Sequence, residues 1–261
     1  MVVMSLEEAA ERVKDGSLIC LSGNLLYRIP AAFVRELARQ GKKDLRVMKT
    51  AGGYDVDLLC GLGCAKEVIA GFVSFEAFGL AKNFRKAVEE GRVKYSENTC
   101  YTVIAALRAA AYGIPFIPIA DISKSYFVKE RGFKFVENPY GGGKVLTVPA
   151  IKPEFAIIHV QKADEDGNAL IYGPWFEDVL MARAAEKIIL TTEMIVPKED
   201  LRRDIDAVWI PSYKVVAVVE VPKGAYPGAC PPYYDPDFEM MEKYANLDEE
   251  GLKKHIWEVR P

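Results

Sequence analysis

The chain has 261 residues, half of them hydrophobic, with 34 basic and 37 acidic side chains and a formal charge of -3. That length and apolar content can bury a full core, which excludes a disordered chain. The charges are well mixed along the sequence, so there is no electrostatic footprint for nucleic acid or a membrane surface, and a small-molecule or protein partner is expected.

Ser5 and Glu8 form a capping-box pair opening a helix to about residue 14, and Asp15-Gly16 turns the chain into an apolar strand over 17–21. Ser22-Gly23-Asn24, Tyr27-Arg28 and Pro30 at a helix start come next. A small polar turn between a strand and a helix exposes backbone N–H groups that can receive an anion or an oxyanion. The same turn also reads as a plain connection, and the GxGxxG and GxxxxGK[ST] patterns of dinucleotide and P-loop sites are missing from it. A helix over 31–39 stops at Gly41, and a strand over 45–49 runs to Ala51-Gly52-Gly53. Asp55 is expected to cap a short helix broken at Gly61-Leu62-Gly63, and 67–73 makes a third strand leading into Ser74-Phe75-Glu76. The segment 80–90 is amphipathic and ends at Gly91.

The stretch GRVKYSENTCYTVIAALRAAAYGIPFIPIA, residues 91–120, anchors the chain. Residues 92–96 are β-leaning, and Val103, Ala106, Leu107 and Ala110 then recur at helical spacing. Thr99 can cap that helix and Gly113 can end it. Glu97 thus falls at the carboxyl end of a strand beside a helix start, where open α/β sheets place their ligands. It reads either as a catalytic carboxylate or as a solvated helix-entry acid stabilised by the dipole. Pro115 and Pro118 bracket a run that reads as the next parallel strand.

Residues 121–143, with mixed charges, aromatics and three successive glycines, read as an irregular excursion with a small hairpin, either a solvated flap or a lid or subunit contact. Strand character resumes over 145–148 and 155–160, and DEDGN at 164–168 is a strong turn between two strands. A helix over 177–187, strands over 188–192 and 215–220, a proline-, glycine- and tyrosine-rich segment GAYPGACPPYYDPD and a helical close over 238–257 complete the chain. Alternating strands and helices joined by short glycine turns predict an α/β fold with an open, mostly parallel, Rossmann-like sheet in one unit spanning 1–261.

No apolar run reaches membrane-spanning length, and the first ten residues form an acidic helix instead of a signal sequence. Cys20, Cys60, Cys64, Cys100 and Cys230 are odd in number and scattered, which fits reduced thiols in a cytoplasm. The CxxxC pair Cys60/Cys64 lacks a second Cys/His pair in range to complete a tetrahedral site, so no metal is expected. His159 lies in the strand-like run FAIIHV and His255 in a polar C-terminal helix, and each reads as structural or solvated. Any chemistry falls to carboxylates: Glu97 first, then Glu76 with Ser74 beside it.

DGSLICLSGNLLYRIPAAFVRELARQGKKDLRV, VIAGFVSFEAFG with NFRKAVEEG, LRAAAYGIPFIPI, PEFAIIHVQKADEDGNALIYG and GAYPGACPPYYDPD, in this order and spacing, resemble the α subunit of family I CoA-transferases. The resemblance is in particular to the glutaconate CoA-transferase type and its relatives among ring-cleaving acyl-CoA hydrolases, and it covers about 7–239. It implies a CoA-transferase-like fold and an active site shared with a similarly folded β subunit, in an α2β2 or larger assembly. Coenzyme A would enter as part of an acyl-CoA substrate, with no other cofactor. In the transferases a glutamate attacks the thioester to give a mixed anhydride, then carries CoA as a glutamyl thioester to the acceptor acid. That nucleophile normally stands in a Ser-Glu-Asn-Gly setting of the β-like half. Here Ser96-Glu97-Asn98 is similar, but Thr99 replaces the glycine and the surrounding motifs are α-type. In the hydrolase relatives a glutamate of this region would activate water, which keeps Glu97 as the catalytic candidate. Ser22, Gly23, Asn24, Arg28, Ser74 and Glu76 are the candidate substrate-binding residues; Arg28 reads either as a partner for a substrate carboxylate or as a surface arginine.

Overall fold

Strands β1 (Leu18–Leu21), β2 (Leu45–Gly52), β3 (Ala65–Val73) and β4 (Lys94–Glu97) run parallel side by side. The structure, a computed structural model, describes residues 2–203 and 208–259. On the far side of β1 lies β8 (Phe155–Ala163), followed by β10 (Lys187–Ile195) and β12 (Val215–Glu220), again all parallel. The order β12-β10-β8-β1-β2-β3-β4 therefore reverses direction of travel between β1 and β8, and a crevice opens at the strand carboxyl ends at such a switch point. Two short strands, β9 (Ala169–Ile171) and β11 (Val208–Ile210), extend the sheet antiparallel beyond the end of β1. Asp164 closes the β8–β9 hairpin by accepting the Asn168 N–H at 2.8 Å, as the DEDGN turn predicts.

Alternation along the strands sends Ile19 and Leu21 to one face and Cys20 to the other, so the sheet carries a core on each side. Helices α1 (Leu6–Glu11), α2 (Ala31–Arg39), α3 (Tyr54–Gly61) and α4 (Lys82–Glu89) pack with α9 (Phe238–Ala245) and α10 (Glu249–Glu258) on the first face. Helices α5 (Cys100–Ala111) and α7 (Asp178–Ala184) cover the second, and a single turn, α8 (Lys198–Leu201), follows β10. The capping boxes expected at Ser5 and Thr99 both form. No helix among the described residues is long and apolar enough to cross a membrane.

Three expectations are corrected. Residues 116–119 do not continue the parallel sheet: β5 (Phe116–Ile119) pairs antiparallel with β7 (Lys144–Pro149), which also pairs with β6 (Lys134–Glu137) in a separate three-stranded sheet. Burial along β5 alternates between exposed and half-buried, the mark of a strand with one covered face, and Pro118, which lacks an N–H, suits the edge position it takes. Helix α6 (Tyr126–Glu130) sits between β5 and β6, and the expected hairpin is the β6–β7 pair. Asp55 lies inside the first turn of α3, not at its cap, which is Gly53. The closing helical pattern is two helices, because the chain breaks at Asn246 and Asp248 restarts it by accepting the Gly251 N–H.

His255, a residue expected to be structural or solvated, is buried on the inner face of α10, with its Nε2 2.8 Å from the Tyr54 hydroxyl and the ring against Tyr54 and Tyr244. Burial, helped by the Arg35 guanidinium, pushes it down to about 4. A histidine held neutral in the fold contributes fully above its unfolded pKa near 6.5 and loses that contribution as pH falls through its folded value. The shift corresponds to about 3 kcal/mol at most. His255→Gln is therefore expected to flatten the fall in stability between pH 6.5 and about 4, read from urea midpoints across that range.

Candidate active site

The turn after β1 is closed by the protein itself. Gly23 takes φ +71°, and a Cβ there would stand 2.1 Å from the Tyr27 carbonyl oxygen, so only glycine permits the turn. Its N–H, expected to face an anion, donates to Asp178 Oδ1 at 2.9 Å. The Asn24 N–H donates to Tyr27 O at 3.0 Å, and Ser22 Oγ donates to Arg28 O while accepting the His159 N–H. Arg28 is not at the surface: it is 1% exposed, 2.5 Å from Asp178 Oδ2, and donates to the carbonyls of His159 and Pro174. Burial pushes the Asp178 carboxyl up, and Arg28 with the Gly23 N–H opposes it. Beneath the turn, Lys49 near the end of β2 is fully buried, donates to Ser22 O at 2.7 Å and pairs with Asp55. Ser22, Gly23 and Arg28 thus form a rigid wall at the switch point, with their polar groups turned to the protein's own carboxylates and carbonyls.

On the β8 side of that wall, His159 bridges Thr191 Oγ1 (2.9 Å) and Glu193 Oε1 (2.8 Å), and Glu193 also accepts the Tyr234 hydroxyl at 2.5 Å and the Lys223 N–H at 2.7 Å. Burial pulls the Glu193 carboxyl up, but His159, Tyr234 and the Lys223 N–H together outweigh it and hold it below the usual range. Cys230 is near enough that the donor atoms of His159, Glu193 and Cys230 lie within 4.8 Å of one another, the spacing of a metal-binding trio. Burial, with the neighbouring Glu193 charge, pushes the Cys230 thiol up, and the hydrogen bonds of His159 and Tyr234 to Glu193 close this knot.

At the opposite edge, β4 and the start of α5 present Glu97. Ser96 points inward, its hydroxyl donating to Glu67 Oε1 at 2.5 Å. Asn98 is buried, donating to Ser96 O at 2.9 Å and accepting the Thr102 hydroxyl at 3.0 Å. Thr99 is spent on the helix cap. Glu97, between these inward-facing neighbours, projects outward and is exposed, as strand alternation requires. Beside it, Cys100 opens α5 with its Sγ 3.5 Å from Thr50 O, and Thr50 donates its hydroxyl to Glu177 Oε2 at 3.0 Å. Burial pushes Glu177 above the usual carboxylate range, with Asp178 adding to the effect.

Ser74 and Glu76 lie at the carboxyl end of β3, on the same rim. Ser74 Oγ donates to Gly79 O at 3.2 Å and accepts the Glu76 N–H at 3.1 Å, closing a 3-10 turn, Glu76–Phe78, whose Phe78 packs against Phe238 of α9. Glu76 itself is exposed. Sequence reasoning missed Lys49, Glu177, Asp178 and Glu193. The first ends an apolar strand run, and Glu177-Asp178 opens a helix, where acids read as dipole partners.

A doubly wound, mostly parallel sheet with helices on both faces defines an α/β chain of the kind that places ligands at the carboxyl ends of its strands. The chain belongs to the coenzyme A transferase family, whose model matches residues 3–221. It is 35% identical to the A subunit of glutaconate CoA-transferase from Acidaminococcus fermentans, over 93% of this chain and 82% of that one. The crystal structure of that enzyme superposes with a TM-score of 0.91 at 33% identity, covering 99% of this chain and 88% of the other. The cholesterol ring-cleaving hydrolase IpdA subunit of Mycobacterium tuberculosis is 33% identical, over 92% of this chain and 86% of its own length. Against a protein of Archaeoglobus fulgidus, 37% identical over 97% of this chain, the chain spans 58% of the other's length.

Proposed function

We propose that this chain is the α subunit of a hetero-oligomeric CoA-transferase, moving CoA between an acyl-CoA thioester and a carboxylic acid in a site shared with a β subunit. The observation that carries the reading is the outward Glu97 at the carboxyl end of β4, on the same rim of the sheet as the switch-point wall that the chain's own Arg28 and Asp178 already fill. The rim offers a carboxylate and a preformed wall, and a second subunit supplies the remaining side of the pocket. Phe72, Leu80 and Tyr101, large apolar side chains 41%, 61% and 45% exposed near the ends of β3 and β4, fit a surface that a partner or an acyl chain covers. Ser22, Gly23, Asn24 and Arg28 form the wall of this pocket, and Ser74 with Glu76 its floor beside β3. The similarity to the A subunit of the Acidaminococcus enzyme supports a second, β-type subunit. An α2β2 or larger assembly within the cytoplasm completes this reading. CoA enters as part of the substrate, and one unit spanning the chain carries these roles.

A second reading, hydrolysis of an acyl-CoA with Glu97 as the base that activates water, is supported by the likeness to the ring-cleaving hydrolase chain and by Thr99, which fills the helix cap where the transferase nucleophile setting has glycine. The test is to assay the chain alone, and co-expressed with a β-type chain encoded beside it, against a panel of acyl-CoAs with and without added carboxylic acids. Transfer of CoA to an added acid without free thiol, and only with the partner present, is the expected result. Thiol release without an acceptor selects the hydrolase. Full turnover by the isolated chain sinks the shared site.

A further inference from the structure

We propose that His159, Glu193 and Cys230, a trio to which the transferase reading gives no part, bind a divalent transition-metal ion of the zinc class. The three supply an imidazole nitrogen, a carboxylate oxygen and a thiol sulfur, the donor types that tetrahedral zinc takes. Their donor atoms lie within 4.8 Å of one another. One tetrahedral ion holds such donors ~3.3–3.6 Å apart, so shifts on the order of 1 Å bring all three into coordination. His159 and Cys230 are fully buried, and the Glu193 side chain is 8% exposed. The charges suit that burial: a dication with one carboxylate and one thiolate sums to zero, so no net charge is left inside the fold.

The fold already aims the ligand atoms. In the parallel register His159 of β8 lies opposite Thr191 of β10, and Glu193, two positions on, shares their face of the sheet. Thr191 Oγ1 stands 2.9 Å from His159 Nδ1, and the Lys223 N–H donates to Glu193 Oε2 at 2.7 Å. Each contact holds the far atom of a ligand, and leaves Nε2 and Oε1, 2.8 Å apart, turned to each other beside Cys230. Gly224 lets the loop that carries Lys223 close on the imidazole: a Cβ there would stand 2.6 Å from His159 Cε1 and 3.0 Å from Nδ1. On binding, the Cys230 thiol releases its proton to solvent. The imidazole keeps its proton on Nδ1, donated to Thr191, so that Nε2 and Sγ each present a lone pair and no electron is transferred. Ala229, next to Cys230, accepts the Arg28 N–H at 2.8 Å, so an ion held here anchors the strip of loop on which the switch-point wall rests.

The experiment uses the full chain, produced with zinc supplied and dialysed against metal-free buffer. About one zinc per chain is expected by elemental mass spectrometry, with an X-ray absorption shell of one sulfur at ~2.3 Å and the rest nitrogen or oxygen at ~2.0–2.2 Å. Thr191→Val leaves every ligand in place, and in competition with a chromophoric chelator it is expected to weaken zinc binding ~10–100-fold. Cys230→Ser weakens it further, whereas Cys64→Ser leaves it unchanged, because the Cys60/Cys64 pair takes no part. A wild-type chain that takes up no zinc, a shell with no sulfur or with two, or an affinity unchanged in Cys230→Ser or in Thr191→Val overturns the site. The wild-type shell decides the matter even where a variant fails to fold.

Discussion

Turnover by the assembled complex is expected to fall ~10²–10⁴-fold when Glu97 is replaced by Gln, the range lost with a positioned acid or base. The replacement is isosteric and the side chain is exposed, whereas the fold near it depends on Ser96, Asn98 and Thr99, which the substitution leaves alone. Stability should therefore stay within ~0.5 kcal/mol of wild type, and the variant should still assemble with its partner. Thermal unfolding and size-exclusion chromatography check those two points, and an acyl-CoA assay reads the loss. Wild-type turnover in an intact Glu97→Gln complex would remove Glu97 from the chemistry and send the search for the reacting carboxylate to the partner. Trapping a glutamyl-CoA thioester with borohydride then distinguishes the two reactions, because hydrolysis with Glu97 as base forms none.

The largest expected effect on stability is at Asp178. Replacing it with Ala leaves Arg28 buried without its counter-charge and the Gly23 N–H without its acceptor, for a loss of about 3–5 kcal/mol. Asp178→Asn keeps an acceptor for Gly23 and removes the charge, so its loss should fall between Ala and wild type. Urea unfolding of the three proteins tests the order; equal midpoints for Ala and wild type would show that the switch-point wall does not need the ion pair. Because Gly23, Arg28 and Asp178 come from the turn after β1 and the start of α7, the same pair also staples the two halves of the sheet across the crevice.

How far the sequence was legible follows from the range over which each signal acts. Spacing of apolar residues and the chemistry of turns are local, so α2 matches its predicted 31–39 span, Thr99 caps α5 as read, and the DEDGN turn joins β8 to β9. Glu97 was legible for the same reason, since a strand end followed by a capped helix is a local pattern. The segment 116–119 shows the limit: a short apolar run cannot state which sheet it joins, and pairing with β7 placed it in the small antiparallel sheet. The anion-receiving turn shows it again. Its N–H groups were visible in Ser22-Gly23-Asn24, but the anion that takes the Gly23 N–H is a side chain 155 positions further along.

The sequence by itself determined the class of fold, the family likeness, the switch of strands and helices along the chain and the place of Glu97 at a strand end before a capped helix, because each depends on neighbours within a few turns. Only the tertiary structure decided that Arg28 is a buried strut instead of a free cation, that His159 belongs to a hydrogen-bonded knot with Glu193 and Tyr234, and that Glu177 accepts the Thr50 hydroxyl. Those outcomes depend on which distant segments the sheet brings together and on how much water it excludes from between them, and burial sets the charge state of a side chain as strongly as its chemical type does.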